Sequence, residues 1–178
     1  MQTHRNEDWL GTRVKNPDGS FGHYEWQTWG EIHEKVEALA NGIKALDLCP
    51  VLENVKEDGK SWRTCGLWAK NRWEWNTTML AFMACKATLI GFYDAMAINQ
   101  IEYITDQTEL ATIFMTPNYL PKVIEMRKQN KIQTLKTIVL YEEPKKEEQE
   151  ALEGLGIKFF SFEQVMQKGR ESADPVDW

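Results

Sequence analysis

Apolar residues recur along this chain with two different periods. Between positions 31 and 46, Ile32, Val36, Leu39, Ala40, Ile43 and Leu46 fall at helical spacing, while Glu31, Glu34, Lys35 and Lys44 take the wet side of the same helix. Thr28-Trp29-Gly30-Glu31 opens it as a capping box, in which hydroxyl and carboxylate each meet a free backbone N–H. Elsewhere the apolar residues come in short unbroken runs, at 62–68, 88–93, 112–116, 137–141 and 158–162. Such runs predict buried strands. Helical signals separate them. Asn71 with Glu74 three residues on predicts a capped helix to about Cys85, and Ile98, Ile101 and Ile104 mark a second. A third spans 119–130, with Arg127 and Lys128 in its last turn against the negative end of the helix dipole. Ser161-Phe162-Glu163-Gln164 caps a last one through Val165, Met166 and Lys168. Ahead of all this, Pro17-Asp18-Gly19 between a segment at Leu10 and one from His23 to Trp29 predicts a β-hairpin. Residues 50–60 read as a surface loop. The alternation predicts an α/β fold, a mainly parallel doubly wound sheet with an N-terminal β-hairpin, as one subdomain over residues 1–178 without internal repeat or second domain.

Composition narrows the classes. With 42% apolar residues and eight Trp, 178 residues suffice for a packed core. A net charge of −6 argues against nucleic acid as a partner, since neutralising phosphates takes a basic face. Cys49, Cys65 and Cys85 lack CxxC spacing and are odd in number, which fits a reducing, cytoplasmic setting. The opening residues are too polar for a signal peptide. The longest apolar run, 79–93, is broken by Lys86 and too short for a transmembrane segment.

Candidate chemistry is sparse. Gly154-Leu155-Gly156 follows a helix and precedes a strand, the reverse of a dinucleotide loop, and reads as a helix C-cap. His4, His23 and His33 have no acidic or cysteine partner at metal-ligand spacing. Asp94 lies just past a strand's carboxyl end, where open α/β sheets place ligands, and capping the next helix explains it equally well. Trp62, Trp68, Trp73 and Trp75 read as core and interface residues, and the acidic run 142–150 as a solvated helix face. No catalytic, cofactor-binding or metal-ligating residue is expected.

The order of four pieces carries more. Tyr24-Glu25-Trp26-Gln27-Thr28-Trp29-Gly30-Glu31, Ala69-Lys70-Asn71-Arg72-Trp73-Glu74-Trp75, Gly91-Phe92-Tyr93-Asp94 and Ile101-Glu102-Tyr103-Ile104 resemble, in order and spacing, the N-terminal region of the long-chain fatty acyl-CoA synthetases, AMP-forming members of the adenylating superfamily. The likeness runs from about Leu10 to Trp178. Trp73 stands where many relatives carry proline, a small change at a first helical turn. The resemblance implies a long-chain fatty acid-CoA ligase that uses ATP, Mg and CoA and passes through an acyl-adenylate. It also implies a cytoplasmic enzyme, peripheral on a membrane such as the endoplasmic reticulum. The family's glycine-rich phosphate loop would follow residues 172–178, so the chain alone is expected to be inactive, an incomplete N-terminal part of an adenylate-forming fold. Its partner would be the remaining half of the synthetase domain. The alternative is a non-catalytic truncated module that binds or regulates a full-length synthetase.

Overall fold

The computed structural model describes residues 4–52 and 62–177. Strands β1 (Asp8–Lys15) and β2 (Phe21–Thr28) pair antiparallel. Their turn is built as the sequence implies: Gly19 takes a φ of 85°, and Asp18 Oδ1 accepts from the Ser20 N–H at 2.9 Å. The ribbon leans on α1 (Trp29–Ala45), where Trp9 stacks on Trp29 with ring centres 3.8 Å apart. The capping box forms. The Glu31 N–H donates to Thr28 Oγ1 at 3.2 Å, and the Thr28 N–H donates to the Glu31 carboxylate at 2.7 Å.

Five parallel strands follow: β3 (Thr64–Trp68), β4 (Thr88–Gly91), β5 (Thr112–Met115), β6 (Thr137–Leu140) and β7 (Lys158–Ser161), in spatial order β4-β3-β5-β6-β7. Between and after them run α2 (Trp73–Ala84), α3 (Ile98–Gln107), α4 (Leu120–Lys128), α5 (Lys146–Gly154) and α6 (Phe162–Arg170). Strand pleat explains the unbroken apolar runs. Trp68, Ile113, Met115, Ile138 and Leu140 enter one core with Ile101 of α3, Leu120 and Val123 of α4 and Leu152 of α5. Cys65, Leu67, Phe114 and Val139 enter the other with Leu39 and Ile43 of α1, Phe82 of α2 and Val165 of α6. Both faces are covered, so both parities are apolar. The sheet is doubly wound, and its winding reverses between β3 and β5. At that reversal the carboxyl ends of adjacent strands open a crevice.

Two helices touch through glycine. A Cβ on Gly42 of α1 would lie 1.9 Å from the Val165 carbonyl oxygen of α6, and one on Gly169 would lie 1.8 Å from the Ala38 carbonyl oxygen. The chain's end is tied to the same helix: Lys44 Nζ meets Asp174 Oδ1 at 2.7 Å, and the Val176 N–H donates to Asn41 Oδ1 at 2.7 Å.

Several expectations need correcting. Asn71 does not cap α2. The cap position is Arg72, without a side-chain cap, and Glu74 is held instead by the Arg72 guanidinium at 2.7 and 2.8 Å. A two-pronged ionic pair outcompetes a neutral amide N–H for that carboxylate. The run 88–93 is an edge strand, half exposed, because only β3 flanks it. Trp62 precedes its strand and is 40% exposed. Lys35 does not stand in water: its ammonium lies 4.5 Å from the Trp73 ring centre. Tyr119 ends a short 3-10 turn, Pro117–Tyr119, ahead of α4. In the acidic run, helix begins only at Lys146. Of the expected 50–60 loop, residues 53–60 lie outside the described residues.

Candidate functional site

The crevice at the winding reversal collects side chains from three separate connections. Trp68 ends β3 and is fully buried, its ring stacked on Tyr119 at 4.4 Å and near Phe92 at 5.7 Å. Lys70 follows β3, Asp94 follows β4, and Tyr119 and Lys122 follow β5. The others converge on Asp94. The Tyr119 hydroxyl donates to Asp94 Oδ1, Lys70 Nζ lies 3.4 Å from Asp94 Oδ2, and Lys122 Nζ lies 3.5 Å from the Asp94 carbonyl oxygen. The Lys122 ammonium also sits 5.8 Å from the Trp68 ring centre. The Trp68 indole N–H is buried without a hydrogen-bond partner.

Asp94 therefore lines the crevice and does not cap α3, whose cap position is Ala97. The Tyr119 hydroxyl, with Lys70, holds the Asp94 carboxyl below its ordinary range, so it stays ionised and fully engaged. Burial, with Asp94 second, raises the Tyr119 hydroxyl, which leaves it a donor rather than a nucleophile.

Beyond β6 lies a second cluster. Arg72 bridges Glu74 and Glu142, the latter at 2.5 Å, and its guanidinium carbon is 5.1 Å from the Tyr141 ring centre. Tyr141 and Thr78 share a hydrogen bond of 2.9 Å. Glu74 is the strongest influence raising the Arg72 value, and burial raises Tyr141. This cluster clamps the start of α2 to the end of β6. It offers no free acid, base or nucleophile. Two thiols are equally quiet: burial pushes Cys65 up and Cys85 up to about 12.

Neither the start of α2 nor that of α6 forms a phosphate cradle. At the first turn of α2, where backbone N–H groups would have to cradle phosphate, stand the bulky Trp73 and an Arg72 already committed to two carboxylates. Ser161 occupies the start of α6 by capping it, accepting from the Gln164 N–H at 3.1 Å. Among the described residues no group of three His, Cys, Asp or Glu could hold a metal ion. His4 pairs with Glu7 at 2.7 Å, His33 approaches Glu37 at 3.8 Å, and His23 lies exposed on β2. Gly156, with φ of 68°, closes α5: its N–H donates to Glu153 and that of Ile157 to Leu152, both at 3.0 Å. Sequence reasoning found Asp94 but not Lys70, Tyr119 or Lys122. Their shared signal is position: Lys70 comes soon after the end of β3 at Trp68, and Tyr119 and Lys122 lie in the connection and first helical turn after the end of β5 at Met115.

Residues 11–175 match the family model of the AMP-binding enzymes. The chain belongs to this family. As a member of the AMP-binding enzymes it corresponds to the N-terminal region of an AMP-forming ligase. It is 26% identical to fatty acyl-CoA synthetase B of Dictyostelium discoideum over 163 residues, 92% of this chain and 22% of that protein. With long chain acyl-CoA synthetase 4 of Arabidopsis thaliana it shares 26% over 171 residues, 95% of this chain and 23% of the relative. The chain thus spans under a quarter of the length of these relatives. Its fold is that of part of the adenylation domains. The adenylation domain of a carboxylate reductase from Mycobacterium chelonae superposes with a TM-score of 0.66 at 11% identity, covering 94% of this chain and 26% of that one. An anthranilate CoA ligase in complex with anthranoyl-AMP gives 0.63 at 16% identity, covering 100% of this chain and 26% of the ligase. Among the described residues no helix is long and apolar enough to cross a membrane.

Proposed function

We propose that these 178 residues are the N-terminal portion of a long-chain fatty acid-CoA ligase, a scaffold for ATP-dependent formation of fatty acyl-CoA through an acyl-adenylate. The observation that carries this reading is the likeness to acyl-CoA synthetases over more than nine-tenths of the chain. The starts of α2 and α6, neither of which forms a phosphate cradle, support the corollary that this portion does not adenylate a fatty acid by itself. ATP, Mg and CoA would belong to the parent enzyme and be held outside these residues. The parent would be cytoplasmic or peripheral on a membrane such as the endoplasmic reticulum.

Two measurements test this. An antibody to the exposed segment 142–150 should detect, in source extract, a polypeptide several-fold larger than 20.8 kDa. A band at 20.8 kDa alone would favour the non-catalytic module that binds a separate synthetase. ATP–pyrophosphate exchange with palmitate by the isolated chain should stay at background, and turnover would overturn the inactivity claim.

A further inference from the structure

Beside the ribbon, on the side of the molecule formed by α1 and α2, lies a groove of about 1150 Å³. The stacked Trp9 and Trp29, the buried Ile32 and Val36 of α1, and Leu80 and Met83 of α2 line it. The charged lining residues Arg5, Glu7, Lys86 and Asp177 are all exposed, as is His4, with His33 half-buried, whereas Ile32 and Val36 are buried. Met83 is 67% exposed, an unusual placement for a large apolar side chain beside two stacked tryptophans. An uncharged, Trp- and Met-bearing centre with a charged rim is the anatomy of a polypeptide interface.

Two polypeptides could cover it. Pairing of two copies through a two-fold axis needs a self-complementary surface, and a concave groove is not complementary to itself. The relatives supply the other candidate, because more than three-quarters of each lies outside the matched region. We infer that this groove seats an amphipathic helix from the catalytic portion of the same polypeptide, its large apolar side chains entering between α1 and α2. The groove is bounded by two helices, which is the setting that receives a third by ridge and groove. This rests on the reading of the chain as part of a larger synthetase.

The test uses the native polypeptide from source. Hydroxyl-radical footprinting should oxidise Met83 about tenfold more slowly in the native protein than after denaturation, since oxidation follows exposure. A lysine-reactive cross-linker should join Lys86, which has no ion-pair partner among the described residues, to a peptide beyond residue 178. Met83 as reactive in the native protein as in the denatured one would overturn the inference while leaving the larger synthetase intact. Cross-links from Lys86 to a second copy of residues 4–177 would overturn it in favour of self-pairing. A native polypeptide of only 20.8 kDa would remove the reading beneath it, and the inference with it.

Discussion

Replacing Gly42 with alanine puts a methyl carbon 1.9 Å from the Val165 carbonyl oxygen and 2.8 Å from its carbonyl carbon. Ordinary contact begins near 3.4 Å, so α6 has to retreat by about 1.5 Å. No side-chain rotation relieves the clash, because both obstructing atoms are backbone. The retreat also separates Gly169 from Ala38 and loosens Val165 and Met166 in the core they share with Leu39 and Ile43. Overpacking of one methyl costs about 1–3 kcal/mol, and a backbone-on-backbone clash belongs at the upper end. With a urea slope of roughly 1–3 kcal/mol per molar, the midpoint should fall by about 1–2 M. Circular dichroism during urea titration reads this directly. Gly169→Ala should behave alike, and the double variant should lose less than the sum, since one retreat accommodates both methyls. Gly154→Ala is the control. Nothing lies within 4 Å of its Cβ, and alanine in a helix is favoured by about 0.5–1 kcal/mol, so its midpoint should rise or hold. An unchanged midpoint for Gly42→Ala would refute the idea that the glycine contact fixes the distance between these helices.

Three further outcomes follow from local chemistry. Asp47 closes α1 with a φ of 48°, exposed and at the negative end of the helix, so Asp47→Gly should stabilise the chain by about 0.5–1 kcal/mol in the same titration. With Cys85 near 12 instead of an ordinary thiol's 9.0, its thiolate at pH 8 is about a thousandfold scarcer, and iodoacetamide should label it correspondingly slowly until denaturant is added. The Thr28 N–H and hydroxyl lower Glu31, and the Tyr119 hydroxyl with Lys70 lowers Asp94. Folded values below unfolded ones mean stability that is present above the ordinary carboxyl range near pH 4 and lost as pH falls through the lowered values. Acid unfolding of Glu31→Gln and Asp94→Asn should therefore be less steep in pH than that of the parent chain, and identical curves would contradict the assignment.

What was legible in the sequence was local. Capping boxes at Thr28 and Ser161, the Pro17-Asp18-Gly19 turn, the Gly156 cap and the two-faced strands each follow from residues within a few positions of one another. What was not legible required partners from afar. Asn71 and Glu74 have the spacing of a capping box, and nothing local announces that Arg72 will bind Glu74 while reaching Glu142 across 70 residues. The half exposure of β4 follows from its edge place, which is a fact of pairing order and not of composition. Helix ends at Asp47, Lys86, Glu109 and Asn130 adopt positive φ without glycine, so the usual marker of a stop is missing there. At the crevice Asp94 could be placed from its strand, but Lys70, Tyr119 and Lys122 come from two other connections, and their convergence depends on the winding reversal.

The meeting of α1 with α6 has a consequence for synthesis. Lys44 reaches Asp174 across 130 residues, and Asn41 reaches Val176 across 135. At roughly 5–20 residues per second, about ten seconds separate the emergence of α1 from that of its helical partner on the ribosome. During that interval the stripe of Leu39 and Ile43 has no α6 to close over it, and the Gly42 surface faces water. The nascent chain is most vulnerable to misassociation then, and the emergence of α6 is what ends the exposure.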